Sequence, residues 1–361
     1  MSGKGFAAAR SWIALTFAVA ALMPAPGAAQ ALRQAADRAG VLIGTAVRPE
    51  RLSEAAYAAT LAREFNLLEP EDALKWEVIR ARKGSFNFAP ADQAVGFAMA
   101  HGMKVRGHTL VWGRHNPDWL PDSAYTPAQL SALLEEHIAA VAGRYRGKVF
   151  AWDVVNEAFD EAGALRGSIW YDQPGIGFAG KGAAYMEQAF RWARAADPEA
   201  LLFLNEAEGE TVNAKSDAIF AMVQDFRARH VPIDGIGLQM HLAGLNPDVA
   251  SLSANIARFT ALGMEVHITE MDVALPLDPG GGVSEAALAR QAQVYRDVAN
   301  ACLAHRGCRV IQTWGFTDKY SWIGSSSRGR KGFALPFDRT YQPKPAWRGL
   351  LQALQDHAKA P

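Results

Sequence analysis

From residue 41 onward, short runs rich in Val, Ile and Leu alternate with longer stretches of helical periodicity, and eight such units can be counted. That count predicts an α/β fold closed on itself, a (β/α)8 TIM barrel. Two further observations agree. Polar residues collect at the ends of the short runs, and GTAVRPE after the first run is not a glycine fingerprint of the kind an open doubly wound sheet usually carries there.

Taken in order, the predicted strand at residues 41–47 opens the series, and the strand at 66–71 ends in Glu69 and Glu71, with Asp72, Lys75 and Trp76 just beyond. The strand at 104–111 carries His108 and runs into Trp112, and the strand at 149–156 ends in Asn156 with Glu157 next. Residues 201–205 end in Asn205 before Glu206, and 235–241 contain Gln239 and His241. Residues 265–270 end in Glu270 two positions before Asp272, and 309–316 contain Trp314 with Trp322 further on. Helical candidates fall at 127–145, 183–195, 214–229, 248–262, 285–304 and 346–357. The tracts Gly280-Gly281-Gly282 and Ser325-Ser326-Ser327 are short enough to be loops, and no linker or second domain interrupts the series.

Residues 1–29 read differently. Lys4 and Arg10 precede an apolar run from Trp12 to Met23, and Gly27-Ala28-Ala29 offers a small-x-small cleavage site. This is the layout of a secretory signal peptide. The run is shorter than the roughly 20 residues a spanning helix needs, which favours a leader over the alternative, an uncleaved membrane anchor. The expected location is secreted or periplasmic, with residues 30–361 as one catalytic domain.

With 37 Lys+Arg against 37 Asp+Glu there is no basic excess for a nucleic acid, and removal of the leader leaves a net charge of −2. Half the residues are apolar and 20% are charged, which excludes a disordered chain. In an exported protein Cys302 and Cys308 read as one structural disulfide, contributing about 2 kcal/mol on the chain-entropy model. Two buried free thiols are the alternative. No His pair at finger-like spacing accompanies them, so they do not make a zinc site.

So many carboxylates, amides, imidazoles and indoles at one rim have no structural reason to be there, because burial without partners costs about 1–3 kcal/mol per group. Glu157 and Glu270 stand out as a carboxylate pair of the kind glycoside hydrolysis needs, one to protonate the leaving oxygen and one to attack or to activate water. Trp112, Trp314 and Trp322 offer aromatic faces for pyranose rings. A non-catalytic sugar-binding barrel would normally lack one of the two carboxylates, and both are present. A metal-dependent hydrolase using His108, His241, His267, Glu270 and Asp272 is poorly supported, since the histidines lack a short paired spacing.

FNLLEPEDALKW, GHTLVW, WDVVNEAFD, GIGLQMHL, HITEMDV and WGFTDKYSWI, in this order, resemble the motifs of glycoside hydrolase family 10, the retaining endo-β-1,4-xylanases. The resemblance runs from about Gly44 to Trp347. It implies Glu157 as acid/base and Glu270 as nucleophile, with Asn156 on the sugar 2-hydroxyl and with His241 and Asp272 tuning Glu270. His108, Lys75 and Trp112 would line the subsites on the non-reducing side, and Glu71 would hold a sugar one step further out. Gln239 would lie near the acid/base, and Trp314 and Trp322 would wall the cleft.

The resemblance also implies the Cys302 to Cys308 disulfide, a monomer acting on xylan, and no cofactor or metal. Nucleic acid and, after leader removal, membrane are not expected partners. Gly113 and His115 stand where the family has His and Gln, Asp72 stands for Asn, and Asn205-Glu206-Ala207-Glu208 stands for Asn-Asp-Tyr-Asn; these departures bear on subsite strength. Intact-mass analysis of the exported protein is expected to show a chain beginning near Gln30 with no free thiol. A retained Lys4 would leave the anchor reading in its place.

Overall fold

The computed structural model describes residue 1, residues 31–121 and residues 124–359. Residues 2–29 of the expected leader, its cleavage site included, lie outside the described residues. Eight parallel strands form the barrel: β1 Leu42–Val47, β2 Leu67–Pro70, β3 Lys104–Trp112, β4 Ala151–Asn156, β5 Leu201–Glu206, β6 Gly235–Leu238, β7 Glu265–Val273 and β8 Val310–Thr313. Each pairs with the next, and β8 also pairs with β1 through Leu42 opposite Val310, which closes the ring. Strands covered by helices outside and by side chains inside read as continuous apolar runs, which is why the sequence reveals them.

Helix α1, Leu32–Ala39, precedes the barrel. One long helix then follows each strand: α2 Ala55–Glu64, α3 Ala89–Ala100, α4 Pro127–Arg144, α5 Ala184–Ala196, α6 Ala214–Ala228, α7 Val249–Ala261, α8 Glu285–Leu303 and α9 Pro345–His357. Local chemistry sets several starts. Thr126 and Gln129 form a capping box on α4, and Asn213 and Ser216 form one on α6. Helix α1 ends where Gly40 turns left-handed at φ 65° and donates its N–H to Ala36 and Asp37. Glu64 then joins α1 to α9, accepting from Leu32 N at 3.0 Å and from Trp347 Nε1 at 3.1 Å.

Three helices, α1 to α3, lie outside the set expected from periodicity. In α3 the buried face is Ala91, Ala94, Val95 and Ala98, so alanine supplies nearly all of the inward surface and the apolar stripe is faint. The Ser325-Ser326-Ser327 tract, expected as loop, instead completes a helical turn, Ile323–Ser326. The sixth strand, expected to run through His241, stops at Leu238. Met240 has φ 64°, which ends the extended run, and His241–Leu242 pair with β7 opposite Asp272 and Val273. That break delivers His241 to the rim beside β7.

The barrel interior is not wholly apolar. Glu69, Arg106, His108, Asp153 and His267 are fully buried inside it. Arg106 pairs bidentately with Asp153, reaches His267 Nδ1 at 2.9 Å and lies 3.6 Å from Glu69. Glu69, His108 and Asp153 bring one possible metal-ligand atom each within 4.8 Å of one another. The Arg106 guanidinium already lies against both carboxylates, which makes it their counter-charge.

Cys302 and Cys308 form the disulfide, with a Cα separation of 5.2 Å, joining the end of α8 to the approach to β8. Among the described residues no helix is long and apolar enough to cross a membrane.

The loop after β8, which carries Trp322, is pinned by the buried Lys344. Its ammonium donates to Asp318 Oδ2 at 2.7 Å, Phe333 O at 2.7 Å and Leu335 O at 2.8 Å. Lys344→Met strands one carboxylate and two carbonyls. It is expected to cost about 3 kcal/mol of stability, read as a lowered melting temperature.

Candidate active site

The register of three adjacent strands brings the first group of side chains together. Asn156 on β4 lies opposite Trp112 on β3 and opposite Asn205 on β5, all at the C-terminal rim. The Asn205 amide donates to Asn156 Oδ1 at 2.9 Å and to Glu270 Oε1 at 2.7 Å, so a β5 side chain reaches across to β7. This crossing needs space over β6. A Cβ on Gly237 would fall 2.2 Å from Asn205 Oδ1, so only glycine admits the amide.

Glu270 is buried, with 4% of its surface exposed. Its other oxygen meets His241 Nε2 at 3.0 Å, and His241 Nδ1 meets Asp272 Oδ2 at 3.0 Å. Trp322 Nε1 donates to the same Asp272 oxygen at 2.8 Å. Burial alone would pull the His241 pKa down, but the Asp272 and Glu270 carboxylates outweigh it and hold the imidazolium well above its ordinary range. Burial works to raise the Glu270 pKa, yet hydrogen bonds from His241 and Asn205 and the nearby His108 charge bring it below its ordinary value. Glu270 is therefore an ionised carboxylate in a nearly dry site.

Glu157 follows β4 directly and is half-buried, with a left-handed backbone at φ 52°. Its N–H donates to Asn205 O at 3.0 Å, and its Oε1 accepts from Gln239 Nε2 at 3.2 Å. The same Gln239 amide lies 3.4 Å from Asn156 Oδ1. A chain of amides thus runs from one carboxylate to the other. Two buried donors facing this region, Asn156 Nδ2 and Trp112 Nε1, have no partner among the described residues.

Trp112, Asn156, Glu157, Gln239, His241, Glu270 and Trp322 border one cleft of about 580 Å³, within the range of sites for small ligands. It gathers every residue expected to bind or cleave substrate: Glu71, Lys75, His108, Trp112, Asn156, Glu157, Gln239, His241, Glu270, Trp314 and Trp322. Asp272 stands behind His241. His108 is held from below by Asp153 at 3.0 Å and stands edge-on to Trp314, with ring centres 5.4 Å apart. Despite burial, the hydrogen bond that His108 donates to Asp153 and the charges of Glu69 and Glu270 raise the His108 pKa.

At the far end of the cleft the charges alternate. Lys75 binds Asp72 at 2.7 Å and faces the rings of Trp112 and Trp314 at 5.4 and 5.6 Å. Arg48 bridges Glu71 at 2.8 Å and Asp72 at 3.2 Å. Asp72 is thus paired on both sides, and these cations hold its pKa below the ordinary value in spite of burial. His115, the other departure from the expected pattern, turns to Glu77 at 2.6 Å while lying over Trp112, and both His115 and Asp72 line the cleft. Gly113 lines a neighbouring pocket of about 390 Å³ with Arg166, Trp170 and Tyr185.

Residues absent from the expected set include Asn205, Arg48, Arg106 and Asp153. Asn205 had a signal, a polar strand end, but its reach to Glu270 depends on Gly237 two strands from β4. Arg106 sits two positions before His108, so the alternation of β3 already placed both on one face. Arg48 follows the first strand directly and offered no further sign.

A family model for glycosyl hydrolase family 10 matches residues 31–353. Endo-1,4-beta-xylanase B of Thermotoga neapolitana is 41% identical over 303 residues, covering 84% of each chain. The crystal structure of native xylanase 10B from Thermotoga maritima superposes with a TM-score of 0.86 at 40% identity, over 91% of this chain and 99% of that one. Xylanase 10B from Thermotoga petrophila in complex with xylobiose gives 0.86 at 38% identity, over 91% and 98%. With nearly its whole described length matched, the chain belongs to glycosyl hydrolase family 10.

Proposed function

We propose that this protein is an exported endo-β-1,4-xylanase that acts as a monomer and cleaves xylan by a retaining double displacement. The observation that carries the reading is the ionised, buried Glu270, joined through Asn205, Asn156 and Gln239 to a second carboxylate on the same cleft. Glu270 attacks the anomeric carbon while Glu157 gives its proton to the departing oxygen. Glu157 then takes a proton from water, which releases the sugar from Glu270 with the original configuration.

His241, fixed by Asp272, keeps Glu270 anionic before attack and available as a leaving group afterwards. The unpaired Nδ2 of Asn156 is a donor for the sugar 2-hydroxyl, a bond that tightens as the transition state forms. Trp112 Nε1, His108 and Lys75 supply donors to the sugars on the non-reducing side, and Glu71 accepts from the next one. Trp314 and Trp322 wall the cleft against the sugar faces.

Glu270→Ala is expected to abolish turnover on every substrate. Glu157→Ala should retain much of the first step on a substrate with an activated phenol, and azide should restore the second step by attacking the glycosyl-enzyme. Proton NMR of the first products should show the β anomer, and an initial α anomer would reverse the role given to Glu270. Aryl xylobioside should be cleaved faster than aryl cellobioside; the opposite preference would replace xylan with a glucan as substrate.

The pH dependence has a definite sign. Glu270 must be ionised to attack and its pKa is lowered, so the acid limb of kcat/KM should lie below its ordinary 4.5. Removing the imidazolium with His241→Ala takes away the largest opposing influence, and the acid limb should move to higher pH.

A further inference from the structure

Glu206 and Lys215 form an ion pair, Oε2 to Nζ at 2.8 Å, with 0% and 1% of their side chains exposed, and the mechanism above does not use it. The pair lies beside the turn that carries Glu157. Three consecutive N–H groups of that turn point to the end of β5. Glu157 N donates to Asn205 O at 3.0 Å, Ala158 N to Glu206 Oε1 at 2.7 Å and Phe159 N to the same oxygen at 3.2 Å. On the other side, Arg166 Nε donates to Phe159 O at 2.8 Å, and Arg166 N to Ala158 O at 2.8 Å.

The grip is needed because Glu157 sits at φ 52°, a left-handed conformation that a residue with a Cβ adopts only when its surroundings enforce it. Lys215 is in the first turn of α6, where the helix dipole disfavours a cation. Its placement is explained by the carboxylate it meets. Burial pushes the Glu206 pKa up to about 7, against the lowering effect of Lys215 and of the two N–H groups that the carboxylate accepts.

We propose that Glu206, held in place by Lys215, is a positioning residue for the acid/base: it clamps the two peptides after Glu157 and so aims that carboxyl at the departing oxygen. The inference rests on the reading of Glu157 as acid/base. Glu206 itself touches no substrate. Its effect falls on proton delivery and leaves the attack by Glu270 unaltered, because the Glu270 carboxylate is held by the side chains of Asn205 and His241 and not by Glu206.

The test compares kcat/KM, which reports the first displacement, on phenyl xylobioside, whose leaving group needs a proton, and on 2,4-dinitrophenyl xylobioside, whose leaving group does not. Glu206→Gln keeps the shape but replaces the anion, and Lys215→Met in the same chain removes the stranded ammonium. The double variant therefore carries the test if Glu206→Gln alone does not fold. The expected result is a loss of about tenfold or more on the phenyl substrate with the dinitrophenyl rate nearly unchanged. Equal losses on both substrates, or no loss on either, would overturn the proposal. Glu157→Ala is run alongside. If it too slows both substrates equally, the acid/base assignment itself fails, which is a different outcome from failure of the clamp alone.

Discussion

The two carboxylates of the cleft sit on strands that are not neighbours, and the side chain that spans the gap is Asn205. One amide nitrogen donates to Asn156 beside Glu157 and to Glu270, while its oxygen accepts from Thr269 Oγ1 at 2.7 Å. Both ends of the amide are satisfied inside the barrel mouth, which fixes its orientation as well as its position. The arrangement exists because Gly237 leaves room for it. A closed barrel is what allows β5 and β7 to face one another at this distance, and the site inherits its geometry from that closure.

Beneath the site, polar groups replace the apolar filling usual in a barrel. Arg106 gathers Asp153, Glu69 and His267, and Asp153 in turn holds His108 at the floor of the cleft. Burial drives the His267 pKa down to about 4, leaving a neutral ring that accepts from Arg106 at Nδ1 and donates to Glu265 from Nε2 at 3.0 Å. Burial pushes the Glu69 pKa up to about 8, with the Asp153 and Glu270 charges adding to it and His108 and Arg106 opposing. Such a network is costly to desolvate and is a weak source of stability. Its return is rotamer control over His108, which a purely apolar core could not exert.

A recurring device surrounds the cleft. At two places where the chain turns left-handed at a residue other than glycine, Glu157 and Met240, a glutamate accepts backbone N–H groups at the turn. Glu206 takes those of Ala158 and Phe159 after Glu157, and Glu210 takes that of Met240 at 3.1 Å. Met240 immediately precedes His241, so Glu157, the proposed proton donor, and His241, which meets Glu270, both adjoin backbone held by carboxylates.

The sequence by itself determined the eight strands, the rim that carries chemistry, the carboxylate pair and the aromatic walls. Period-two and period-3.6 patterns record burial directly, and a catalytic rim needs polar side chains at strand ends, where they interrupt apolar runs. Alanine-faced helices such as α3 escaped, because a small residue leaves little contrast between the two faces of a helix. Only the tertiary structure decided that Asn205 reaches Glu270, that Arg106 meets Asp153 and Glu69 inside the barrel and that Glu206 accepts from the turn after Glu157. These contacts join residues dozens of positions apart, and they depend on strand register, on ring closure and on the absence of a side chain at Gly237, none of which has a local signature along the chain.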